Sequence, residues 1–105
     1  MYKVAVHVPV EHADKMRQVI GEAGGGKIGN YSYASFSVRG IGRFKPESGA
    51  HPAVGEMGVF EEVEEERIEF VCNEDCLDRV LTAVRSAHPY EEPAIDVVKL
   101  ENVAK

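Results

Sequence analysis

The segment Gly40 to Gly58, GIGRFKPESGAHPAVGEMG, packs five glycines and two prolines into nineteen residues. Glycine raises the entropic cost of regular backbone and proline removes a hydrogen-bond donor, so neither a helix nor a central strand is expected across it. Strand-like runs stand on both sides. A long irregular loop in a 105-residue chain is unusual unless it binds something or packs on a partner. This loop and the groove beside it are therefore the expected functional region.

The remaining chain is enough for one domain, residues 1–105, with a single core. Hydrophobic residues make up 44% and charged residues 29%, which argues for a folded chain. The net charge of −6 leaves no basic stripe for nucleic-acid phosphates and disfavours anionic membrane surfaces. No apolar run is long enough to span a bilayer and no leader pattern opens the chain, so the expected compartment is the cytoplasm. Two cysteines, Cys72 and Cys76, do not make a disulfide framework.

Periodicity orders the elements. Tyr2 to Val10 alternates, with Val4, Val6, Val8 and Val10 on one face, and Pro9 closes the strand. From Glu11 the spacing turns helical through Ala13, Met16, Val19, Ile20 and Ala23, until Gly24, Gly25 and Gly26 stop it. Tyr31 to Arg39 reads as a second strand and Val59 to Cys72 as a third, the latter with apolar Val63, Ile68, Phe70 and Cys72 among glutamates. Asn73 is placed to cap a second helix with Leu77, Val80, Leu81 and Val84 as its stripe, ended near Ala87 or His88 by Pro89. Ala94 to Leu100 is the last strand, with Ile95, Val97 and Val98 expected inside, and the tail from Glu101 is expected to fray. The order β-α-β-β-α-β predicts an α+β, ferredoxin-like sandwich: a four-stranded antiparallel sheet with two helices on one face.

Three segments resemble the CutA-like domain inserted in the NGG-interacting-factor family, the Nif-three-like dinuclear-metal proteins typified by YqfO. They are GGGKIGNYSYASF (24–36), GRFKPESGAHPAVGEMG (42–58) with EVEEERIE (62–69), and HPYEEPAIDV (88–97). The last is also similar to the matching signature of CutA, which shares its fold and trimeric assembly with PII signalling proteins. In the full-length family the halves flanking this insert carry the two-metal site. Those halves lie outside these 105 residues, so the resemblance implies no hydrolase or cyclohydrolase chemistry here. Gly25 stands where the family has alanine, and Tyr33 and Ala34 where it has histidine and cysteine, which removes any imidazole or thiol role at that place.

Candidate binding residues follow from the two sharpest segments. Arg43 and Lys45 bring positive charge to a glycine-rich loop whose backbone N–H groups can approach an anion, and the resemblance to PII-like proteins makes that loop the ligand-responsive element. The alternative is that the loop packs on a neighbouring subunit and that Arg43 pairs with the glutamate-rich arm. In HPYEEP, His88, Tyr90 and Glu91 are candidates to face a cleft between subunits, while Pro89 and Pro93 make the motif a rigid connector. His51, beside Pro52, is the candidate metal ligand, but no zinc-type spacing of His and Cys occurs. No nucleophile elbow or activated cysteine is evident, so neither an enzyme nor a cofactor is expected.

Two helices cover only one face of such a sheet. The other, expected to carry Tyr31 and Tyr33, and the projecting second and third strands call for burial by sister copies. The resemblance to CutA and PII implies a homotrimer; the residues alone permit a dimer. The leading expectation is a non-enzymatic assembly or binding module for a small anionic ligand or a protein partner. The alternative is a divalent-metal-associated stress protein of CutA type, using His51, His88 and Cys72 or Cys76.

Overall fold

A computed structural model describes residues 1–101; the expected fraying beyond Glu101 lies outside the described residues. Strand β1 spans Tyr2–Pro9. A single 3-10 turn at Val10–His12 leads into helix α1, Ala13–Glu22. Strands β2 (Phe36–Phe44) and β3 (Glu61–Cys72) follow, then helix α2 (Glu74–Ala87) and strand β4 (Ile95–Lys99). The sheet order is β2-β3-β1-β4, with every pairing antiparallel. The fold is the predicted four-stranded, ferredoxin-like sandwich.

The valine alternation of β1 does what period two requires. Val4, Val6 and Val8 are fully buried beneath the helices, against Ile68, Phe70 and Cys72 of β3. Helix α1 contributes Met16 and Ile20, and α2 contributes Val80 and Val84. Three consecutive glycines end α1 as predicted. Gly26 adopts φ +79°, and a Cβ there would stand 2.3 Å from the Ala34 carbonyl oxygen. Its N–H donates to Val71 O (2.8 Å) and its carbonyl accepts from Ala34 N–H (2.9 Å), which ties the turn to the end of β3. Asn73 takes the N-cap position of α2, but its side chain makes no capping bond; its carbonyl accepts from Cys76 N–H instead (3.2 Å).

Four expectations need correction. The second strand runs over Phe36–Phe44, not Tyr31 to Arg39, so Gly40 to Phe44 are strand and the irregular loop is correspondingly shorter. Strand β2 is an edge strand, and its glycines keep both backbone hydrogen-bonding groups, so Gly40 and Gly42 stay in the ladder opposite Glu65 and Val63. Tyr33 is not on the bare face: it sits at φ +60° and packs on α1, so closely that a Cβ on Gly21 would lie 1.9 Å from its ring. Val97 and Val98 are exposed, because β4 is the opposite edge, and of its residues Ile95 packs against the core. Val63 falls out of phase with Ile68 and shares the uncovered face with Arg67 and Glu69.

That uncovered face carries Phe36 (67% exposed) and Val38 (49%) of β2 and Val98 of β4. Strand β1 ends opposite Glu65, whereas β2 and β3 stay paired out to Phe44 and Glu61. The last four pairs thus form a two-stranded arm, and the molecule measures 50 Å by 23 Å by 22 Å. Ile68 is fully buried at the centre of the core. Replacing it, Ile68→Ala, is expected to cost about 2–5 kcal/mol in urea unfolding with a cooperative transition retained.

Candidate functional site

The site begins with the end of α2. Pro89 cannot continue the helix, so His88 closes it, donating its N–H to Val84 O (3.0 Å). The His88 side chain turns inward and is only 7% exposed. Its Nε2 donates to His7 O of β1 (2.6 Å), and its Nδ1 accepts from Tyr90 N–H (3.1 Å). These partners assign the Nε2–H tautomer. Both ring nitrogens are engaged with backbone, so His88 anchors the connector rather than presenting itself to the cleft.

Held this way, the Tyr90 ring lies 5.1 Å from the His88 imidazole and meets Phe44 edge-on at 5.9 Å. Its hydroxyl donates to Glu65 Oε2 (3.0 Å). Burial, reinforced by that hydrogen bond, pushes the phenol pKa well above its ordinary value. The loop after β2 folds back onto the same connector. Gly58 N–H donates to Pro46 O across its base, and His51 N–H donates to Glu91 Oε1 (2.9 Å). Between loop and connector lies a cleft of about 440 Å³, in the range of small-molecule sites. Phe44, Pro52, Val54 and Ala94 give it apolar walls, and Glu65, Glu91 and Glu92 give it carboxylates.

The structure therefore brings together, within one chain, the two segments the sequence singles out. Arg43, Lys45, Tyr90 and Glu91 all line the cleft. The two cations are already engaged: Arg43 Nε meets Glu62 Oε2 at 2.8 Å, while Lys45 Nζ lies 3.2 Å from Glu47 Oε1 and 5.1 Å over the Phe60 ring. The glutamate pairing of Arg43, weighed as the alternative to an anion cradle, is the observed one. His51 contributes its backbone N–H, and among the described residues no three His, Cys, Asp or Glu side chains group as a metal would need. Cys72 and Cys76 are buried with sulfurs 3.3 Å apart, and burial pushes the Cys72 thiol up to about 12, which is the opposite of an activated nucleophile.

Glu65, Gly42 and Phe44 are the residues that sequence reasoning missed. A Cβ at position 42 would stand 2.3 Å from Glu65 Oε1, so the carboxylate occupies space that only glycine leaves. The signal was the pair Gly40 and Gly42, two apart, which marks side-chain vacancies on one face of a strand.

Burial lowers the His88 imidazole below its ordinary 6.5 and keeps it neutral in the fold. The unfolded chain takes up that proton near pH 6.5 and the folded chain only at lower pH. This contribution to stability is thus complete above pH 6.5 and declines as the pH falls below it. Urea titrations from about pH 7.5 down to about pH 5 should show the decline. The variant His88→Gln should be less stable overall with a flatter dependence.

No protein-family model matches the chain. A protein of Halalkalibacterium halodurans named GTP cyclohydrolase 1 type 2 homolog is 47% identical over 102 residues, which are 97% of this chain and 27% of that protein. A crystal structure of a Bacillus cereus protein related to NIF3 matches with TM-score 0.83 and 46% identity, over 96% of this chain and 26% of that one. CutA1 from Pyrococcus horikoshii matches with TM-score 0.72 and 20% identity, over all of this chain and 88% of that one. The chain spans about a quarter of the length of the NIF3-type relatives it matches. Its homologues are thus proteins named GTP cyclohydrolase 1 type 2 homolog, matched over a quarter-length segment, and its fold is that of CutA and PII-like proteins.

Proposed function

We propose that residues 1–105 are a single CutA-like domain equivalent to the insert of NIF3-type proteins, acting as a non-enzymatic assembly and binding module in the cytoplasm. It associates as a homotrimer through the uncovered sheet face. A small ligand or a protein segment is received in the cleft lined by Arg43, Lys45, Tyr90 and Glu91, with His88 positioning Tyr90 beneath it. The observation that carries this reading is the closure of the glycine-rich loop and the HPYEEP connector on one 440 Å³ cleft at the base of the arm. The NIF3-type relatives support the insert equivalence, and the CutA fold supports self-association. The apolar side chains of Phe36, Val38 and Val98 give that association a hydrophobic contact surface.

Among the described residues no helix is long and apolar enough to cross a membrane. A catalytic role finds no support in the site: His88 is spent on backbone, the His7 Nε2 lies 3.2 Å from Arg67 Nη1, and Tyr90 is held protonated. Light scattering at micromolar concentration tests the assembly. Wild-type chain is expected at three times the monomer mass, and Val38→Asp, which puts a charge on the bare face, at the monomer mass. A monomeric wild type at that concentration would overturn the reading.

A further inference from the structure

Glu65 and Glu66 are neighbours in β3, point to opposite faces of the sheet and are each only 8% exposed. Their partners differ. Glu66 receives the guanidinium of Arg17 at 2.6 Å. Glu65 receives only the Tyr90 hydroxyl on Oε2, and among the described residues its Oε1 meets no donor. That Oε1 is not sealed from water: it stays open at the cleft wall, an acceptor that a cationic donor can reach. The lysine and arginine that line the cleft pair with other carboxylates, Arg43 with Glu62 and Lys45 with Glu47. The Glu65 carboxylate lies over Gly42 on the cleft wall, with apolar surface from Phe44, Pro52, Val54 and Ala94 around it.

We infer that the cleft binds a small organic cation, an ammonium or guanidinium on an apolar stem, whose charged head docks on Glu65 Oε1. The inference rests on the reading of this cleft as a binding site and supplies the ligand class. The stem lies against the apolar walls, and Glu92 at the rim adds to the negative potential. A bare metal ion fits poorly, because among the described residues no three His, Cys, Asp or Glu side chains group closely enough to supply an oxygen cage. An anion would have to draw Arg43 or Lys45 away from its carboxylate partner. The same head group could be delivered by a lysine or arginine of a sister copy, and the test separates the two sources.

The full chain is titrated with n-butylammonium, n-butanol and butyrate, following backbone amide resonances. Butylammonium is expected to shift residues 42–46 and 90–94, with butanol and butyrate each weaker by about tenfold or more. The variant Glu65→Gln, which keeps the shape and the Tyr90 contact, should weaken butylammonium by a similar factor without changing the mass by light scattering. The inference is overturned if butyrate binds as well as butylammonium, if Glu65→Gln leaves the amine titration unchanged, or if Ca²⁺ alone moves the same resonances more strongly. A Glu65→Gln chain that falls to monomer would show that a sister copy supplies the cation, which also overturns it. The comparison of three probes on wild-type chain decides the matter even if the variant does not fold. A monomeric wild type that still binds the amine would leave this inference standing and the assembly reading refuted.

Discussion

The His7 carbonyl joins the covered and uncovered halves of this molecule. Strand β1 is paired on both sides, its valines seal the helical layer, and at its far end this carbonyl accepts the His88 ring. A hydrogen bond from a buried imidazole is modest in net energy, but losing it would leave two polar groups stranded away from water. Through it the connector is fixed to a strand paired on both sides. Tyr90 is thereby fixed over Phe44, and the two-stranded arm gains a brace that an isolated ribbon would lack.

Much of this fold is legible in the residues. The valines of β1, the helical spacing of Met16 and Ile20, the glycine run after α1 and the stop at Pro89 each obey a local rule, and tertiary packing does not override them. Strand β2 is different. Its apolar alternation begins at Tyr31, yet pairing begins at Phe36, because register is set by what β3 offers across the ladder. Tyr33 is pulled aside onto α1, filling space that Gly21 leaves, and no alternation pattern encodes that contact.

The site was half legible for a similar reason. Loop and connector announce themselves through glycine, proline and the aromatic of HPYEEP, and they do converge. Glu65 could not be picked from a run of glutamates by type. Period two separates it from Glu66, but only the register against β1 and β2 shows that one faces a guanidinium and the other a phenol. The positive charges of Arg43 and Lys45 misdirect in isolation, since their neutralising partners, Glu62 and Glu47, are revealed by folding.

The vacancy at position 42 has an evolutionary consequence. A side chain there would meet the Glu65 carboxylate where it now lies, so the two positions constrain one another. Descendants of this chain that acquire an alanine at 42 must swing the carboxylate at 65 away from its present place or shorten it. Covariation between those two alignment columns would be the genetic trace of a contact made by an absent side chain.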